Sequence, residues 1–275
     1  MTQTFVYFDD CFKGHVQSLD YPECSDRVQN IIELINKEEF KNIIIKQPNK
    51  IEQSLISAAH EEKFVRETLA RFPSDDQIVF LDQETPVSKG SLDATLRAAG
   101  AGIDAADAIM SNSSHNAFCI VRPPGHHACY DRSMGFCVFN NVAIAANYLI
   151  NKYKFQNIAI IDFDVHHGNG TQDAFYDDGQ VAFFSVHRSP FYPGTGDRDE
   201  TGTGHGLGTT LNLPLGFDTP REEMLRKTET ELHTFASGFK PQLILLSAGF
   251  DAHRDDPVGN LHLETEDYGT LTDIV

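Results

Sequence analysis

The sequence predicts an α/β fold, a single three-layer α/β/α domain over residues 1–275 with a mainly parallel central sheet. Three observations carry that prediction. Short apolar runs alternate with helical patterns along almost the whole chain, as they do when helices cover both faces of a parallel sheet. The runs are continuous and rich in branched side chains, the mark of strands buried on both faces. Histidine and aspartate follow several runs directly, at the carboxyl ends where open α/β sheets hold their ligands.

In chain order, strands are predicted at 5–8, 43–45, 117–121, 158–161, 181–186 and 243–247. Residues 91–110 read as an alanine-rich helix with Leu92, Leu96, Ile103 and Ile109 spaced for one buried face, and 141–150 as a similar one. Thr219-Pro220-Arg221-Glu222 reads as a capping box with proline at the first helical position, opening a helix that runs through Leu225 and Leu232. Thr265 is expected to cap a last helix with Leu271, Ile274 and Val275 on its apolar face. The sequence stops inside that pattern with no closing strand, which reads as a domain truncated at its C-terminus.

A chain of 275 residues with 40% hydrophobic content is long enough to bury a substantial core. No apolar run approaches the roughly 20 residues of a membrane span, and no basic, cleavable leader opens the sequence, so the cytoplasm is the expected location. The formal net charge of −18 argues against nucleic-acid binding, which needs a basic face. It could attract a cationic substrate such as a lysine-rich tail or a polyamine, although a solvated acidic surface that aids solubility is the favoured account. Cys11, Cys24, Cys119, Cys129 and Cys137 contain no CxxC pair, against both a disulfide framework and a cysteine-rich structural zinc site. A homo-oligomer is left open.

The chemistry lies at the strand ends. The runs lead into Arg122-Pro123-Pro124-Gly125-His126-His127, then Asp162-Phe163-Asp164-Val165-His166-His167-Gly168-Asn169-Gly170, then His187, then Ala248-Gly249-Phe250-Asp251. In an extended chain residues 162, 164 and 166 share a face, so Asp164 and His166 reach one metal and Asp251 supplies a third ligand. Two carboxylates and an imidazole leave a coordination position open, as catalytic zinc requires, though ligand type does not separate zinc from iron or cobalt. The pair His126 and His127 offers the base and acid of a hydrolytic site. His167 should point the other way and reads as structural. His15, His60, His115, His205, His233 and His262 have no motif context and read as surface residues.

The motifs PPGHH, DFDVHHGNGT, PFYPGTGD and SAGFDAHRDDPVG resemble the arginase–deacetylase superfamily on its histone deacetylase branch, from about Phe5 to Val275 and most strongly from Arg122 onward. Asn169 in HHGNGT and the stretch MGFCVFNNVAIAA are similar to class II and bacterial members. The resemblance implies a zinc-dependent hydrolase that removes acetyl or other acyl groups from lysine side chains of peptides or proteins. It implies Asp164, His166 and Asp251 as zinc ligands and His127 as general base. His126 is then the second histidine, held by Asp162, and Asn169 pairs with His127. Gly135, Phe136 and Tyr192 line a narrow tunnel for the acyl-lysine stem, with Glu84 at the rim where many relatives have aspartate. Potassium beside the zinc site is matched by Asp162, Asp164, His166, Ser185 and Val186.

The chain departs from the family pattern elsewhere. Relatives carry a tyrosine in a Gly-Gly-Tyr turn after one further strand, and none of the eight tyrosines here sits in such a turn. That hydroxyl donates to the developing oxyanion, a contact worth about 3–4 kcal/mol. Tyr21-Pro22-Glu23 stands where relatives have His-Pro-Glu, and Val258 where the polyamine deacetylase type has a glutamate gatekeeper. An acetylpolyamine or other small-molecule amidohydrolase shares every metal and histidine residue. A catalytically impaired, zinc-holding acyl-lysine binding homologue rests on the missing tyrosine. A dinuclear manganese ureohydrolase would need more aspartate ligands.

Overall fold

A computed structural model describes residues 3–16, 21–37, 40 and 42–275. The chain forms two compact units, Met1–Tyr153 and Lys154–Val275.

The first unit contains β1 (Thr4–Tyr7), β2 (Ile43–Lys46), β3 (Val79–Phe80), β4 (Pro86–Val87) and β5 (Asn116–Cys119). Its helices are α1 (Asp26–Ile35), α2 (Gln53–Ile56), α3 (Glu62–Ala70), α4 (Ser91–Met110) and α5 (Asn141–Tyr153). A parallel sheet runs in the order β2-β1-β5, and β3 pairs with β4 as a short antiparallel ribbon. Val6 turns into a cluster with Phe12, Val28, Ala98 and Ile120, while its neighbours Phe5 and Tyr7 turn toward Ala101, Ala105 and Ala108. Burying a side chain such as Phe12 contributes about 1.5–3 kcal/mol.

Helix α4 buries its small residues instead of the expected Leu92 and Leu96, which stay half-buried. The reason is close approach. A Cβ on Gly100 would stand 1.9 Å from the carbonyl oxygen of Asn49, so the helix lies nearly in backbone contact with the chain before α2.

Two histidines read as surface residues are core residues. His15 is 2% exposed and pairs with Ser91 Oγ at 2.7 Å, and His60 is 1% exposed. His115, His205, His233 and His262 are exposed, as expected. Beside His15, the fully buried Arg122 donates to Glu23 Oε2 at 2.8 Å and to the carbonyl of Phe12 at 2.8 Å. Removing one partner of such a buried pair typically costs 3–5 kcal/mol, through the charge left uncompensated.

The second unit contains β6 (Ile158–Asp162), β7 (Val181–Arg188), β8 (Thr210–Leu215) and β9 (Leu243–Ser247), with α6 (Asn169–Phe175), α7 (Arg221–Phe239) and α8 (Thr265–Ile274). All pairs in its sheet are parallel, in the order β8-β7-β6-β9. Strand β8 lies outside the predicted strands, because Asn212 and Pro214 interrupt its apolar run. It forms at the sheet edge, where a missing N–H is tolerated. Ile161, Phe184, Val186 and Leu213 of the sheet pack with Met224 and Leu232 of α7 and Leu271 of α8.

Both predicted helix caps are displaced. Pro220 is extended (ψ 140°) and precedes a helix whose first residue is Arg221, with no side-chain cap, so Thr219 and Glu222 form no capping box. At α8 the cap is Glu264, which forms a reciprocal box with Asp267, and Thr265 is already helical. Among the described residues no helix is long and apolar enough to cross a membrane.

Burial pushes the His15 imidazole down to about 4, with Glu23 opposing and Arg122 reinforcing the shift. An unfolded imidazole titrates near 6.5, so on acidification the unfolded chain takes up a proton that the fold refuses. Stability is therefore lost as pH falls from about 6.5 toward about 4, by roughly 3 kcal/mol for this group. His15→Asn should flatten the fall in urea midpoint between about pH 7 and about pH 4.5. A variant with the wild-type slope would contradict this assignment.

Candidate functional site

Strand register builds the Asp/His cluster of the second unit. Asp162, the last residue of β6, stands opposite Ser185 on β7 and Ser247 on β9, so the chain leaving β6 and the chain leaving β9 emerge side by side. Beyond β6 the backbone bends and does not run extended. Asp162 Oδ1 accepts the Asp164 amide at 3.1 Å, and Asp164 Oδ1 accepts the His166 amide at 2.8 Å, two successive side-chain turns. The expected alternation survives. Phe163 and Val165 enter the apolar cluster, while Asp164 and His166 remain partly accessible. Asp251, beyond β9, accepts the Val165 amide at 2.9 Å.

These contacts bring together the three predicted metal ligands. His166 Nδ1 lies 2.9 Å from Asp164 Oδ1 and 2.9 Å from Asp251 Oδ2. One ligand atom from each residue lies within 4.8 Å of the others. Tetrahedral ligands about 2.1 Å from a zinc ion stand about 3.4 Å apart, so the donor set and its spacing fit such an ion. Gly249 is a condition of the arrangement, because a Cβ there would sit 2.1 Å from Asp164 Oδ2.

The electrostatics point the same way. Burial, and then the charge of Asp164, push Asp251 up to about 6 against the hydrogen bond from His166. Burial opposes a charge on His166, but its hydrogen bonds with Asp164 and Asp251 and their charges outweigh it and raise the imidazole to about 10. Two carboxylates thus compete for one cation, a tension that a divalent ion relieves.

The surrounding side chains fix the ligands. Phe191 stacks on His166 with ring centroids 5.0 Å apart and planes 17° apart, and Tyr192 meets the same ring edge-on at 6.0 Å. Tyr268 on α8 donates to the carbonyl of Phe250, next to Asp251, at 2.9 Å. Ser185 and Val186 are buried within β7, and Asn169 opens α6. His187 also lies inside β7, where it was expected beyond the strand; it pairs with Ser185 Oγ at 2.9 Å and Gly196 O at 3.1 Å. His167 is held by Thr195 and Gln172 at 2.8 and 3.0 Å, the structural role expected of it.

The first unit carries the other predicted residues. His126 and His127 are both buried, with ring centroids 4.0 Å apart. Gly135 (φ 55°) lies against His127, whose Cδ2 would stand 2.5 Å from a Cβ at that position. The next residue, Phe136, meets Tyr21 edge-on at 5.2 Å, and the Tyr21 hydroxyl donates to the carbonyl of the exposed Glu84 at 3.0 Å. His60 pins this loop from behind. Its Nε2 accepts the Asn140 amide at 2.8 Å, so its Nδ1 carries the proton donated to Cys129 O at 2.8 Å. Burial pushes His60 down to about 4, in keeping with that neutral tautomer.

No motif marks the roles of His60 and Tyr268, which act on backbone carbonyls and amides, or of Arg122, whose partner Glu23 lies 99 residues away in sequence. Gly249→Ala should weaken zinc binding at least tenfold while the circular dichroism spectrum is retained, as read by titration against a chromophoric chelator. Unchanged affinity would show that Asp164 is not constrained as described.

Residues 21–275 match the histone deacetylase domain family. A probable deacetylase of Archaeoglobus fulgidus is 38% identical over 98% of this chain and 74% of its own length. Histone deacetylase 14, chloroplastic, of Arabidopsis thaliana is 38% identical over 97% of this chain and 66% of its own. Histone deacetylase 10, chloroplastic, of Oryza sativa is 38% identical over 89% of this chain and 59% of its own. The chain therefore spans 59–74% of the length of these relatives. A crystal structure of the HDA15 HD domain superposes with a TM-score of 0.84 and 32% identity, covering 94% of this chain and 74% of that one. Similarity of this extent assigns the three-layer α/β/α arginase–deacetylase fold, and the chain belongs to the histone deacetylase family.

Proposed function

We propose that this chain is a zinc-dependent hydrolase that removes acetyl or other acyl groups from lysine side chains of peptides or proteins, with residues 1–275 acting as one catalytic domain. The Asp164–His166–Asp251 cluster, found in a member of this family, is the observation that carries the reading. A zinc ion held there supplies Lewis-acid polarisation of an amide carbonyl and lowers the pKa of the attacking water.

The chain's own residues do the rest in this reading. His127 takes the proton from the water, and Asn169 pairs with it to fix its tautomer. His126, held by Asp162, is the second histidine that shares proton transfer to the departing lysine amine. Gly135, Phe136 and Tyr192 exclude water from the acyl-lysine stem, and Glu84 orients the substrate backbone at the rim. Asp162, Asp164, His166, Ser185 and Val186 would hold a potassium ion in this reading, several through backbone oxygen. The register that sets Asp162 beside Ser185 supports that pairing. The cytoplasm is the compartment this reading assumes.

Val258, 42% exposed where the polyamine type carries a glutamate, favours a lysine peptide over an acetylated polyamine. The test is turnover of an acetyl-lysine peptide by the zinc-loaded chain beside an acetylated polyamine. The peptide should be hydrolysed faster, and His127→Ala should lower kcat by about 10²–10⁴-fold with zinc retained. Full zinc occupancy without turnover of either substrate would contradict the hydrolase and leave an acyl-lysine binding protein.

A further inference from the structure

Arg188, at the end of β7, is gripped in an unusual way for a cation. Its guanidinium carbon lies 4.3 Å from the centroid of Phe191 and 4.4 Å from that of Phe217, so it is sandwiched between two aromatic faces. Its Nη1 donates to the carbonyl of Gly259 at 2.9 Å, and its backbone amide donates to Val165 O at 2.8 Å. Phe191 and Gly259 each lead to a residue of the metal cluster.

Phe191 presents its ring to the imidazole of His166, at 5.0 Å between centroids and nearly parallel. On the other side, Gly259 lies so close beneath Asp251 that a Cβ would stand 2.2 Å from the Asp251 carbonyl oxygen. The next residue, Asn260, adopts φ 65° and donates its amide to that same carbonyl at 2.7 Å. The guanidinium ties this left-handed turn to β7 through the Gly259 carbonyl, beside the turn's own hydrogen bond from Asn260 to Asp251.

We propose that Arg188 is a positioning residue of the metal centre, fixing the plane of His166 through Phe191 and the backbone of Asp251 through Gly259 and Asn260. The inference rests on the metal-binding reading above. A planar guanidinium is required because it stacks on both rings while its edge donates to a carbonyl. A lysine ammonium keeps the charge but cannot do both.

The test measures zinc affinity of Arg188→Lys and Arg188→Ala by chelator competition, alongside kcat and KM on an acetyl-lysine peptide. Both variants should bind zinc at least tenfold more weakly, and at saturating zinc kcat should fall with KM little changed. Zinc affinity within twofold of wild type in folded Arg188→Lys would overturn the proposal. Should that variant fail to fold, Phe217→Leu removes one face of the sandwich from a ring that is 41% exposed. A loss of threefold or more in zinc affinity there supports the proposal, and a value within twofold overturns it. A wild type that binds zinc but leaves the peptide intact would defeat the deacetylase reading alone, whereas one that binds no zinc would defeat both.

Discussion

Two carboxylates held beside one imidazole, at the ends of neighbouring parallel strands, set the terms for the second unit. Like charges about 4 Å apart repel by about 4 kcal/mol at an effective dielectric near 20. Asp164 and Asp251 are kept together against that repulsion by hydrogen bonds from the His166 and Val165 amides, each worth about 1.5–3 kcal/mol to a charged acceptor. The imidazole between them offsets the remainder. The register of β6 with β9 makes the approach possible, and Gly249 and Gly259 permit it by omitting side chains where Asp164 and the Asp251 backbone need the space. The backbone of the cluster is thereby set by contacts of the fold itself.

The first unit solves a different problem, which is to hold a loop with little regular structure. The segment from Arg122 to Asn140 carries the histidine pair, Gly135 and Phe136 between β5 and α5. Its start is tied by the buried Arg122–Glu23 pair and its end by His60, which bonds both Cys129 and Asn140. Both anchors are polar and desolvated, so each depends on complete pairing. The same desolvation makes His15 and His60 resist protonation, and acid stability is linked to the shape of this loop.

Much of this was legible in the sequence. Continuous apolar runs located six strands to within a few residues; β6 and β7 are buried on both faces as such runs imply, whereas β2, β5 and β9 are partly exposed despite the same pattern. The cluster proposed to hold the metal was legible because Asp164 and His166 lie two residues apart and Asp251 follows a strand. What failed depended on tertiary context. His15 and His60 looked like surface residues because a lone histidine carries no sign of the partner that will satisfy it. The alanine face of α4 was hidden by leucines that match helical spacing, although backbone approach at Gly100 decides the packing. Strand β8 was masked by Pro214, and the α7 and α8 starts depend on backbone angles that Ser/Thr capping patterns predict only in part.

The most direct test of the account is X-ray absorption at the zinc edge of the zinc-loaded chain. The account predicts one zinc per chain in a first shell of one imidazole nitrogen and oxygens only, at about 2.0–2.2 Å. Sulfur scattering near about 2.3 Å, or a shell with several imidazoles, would place the metal elsewhere and contradict the assignment of Asp164, His166 and Asp251.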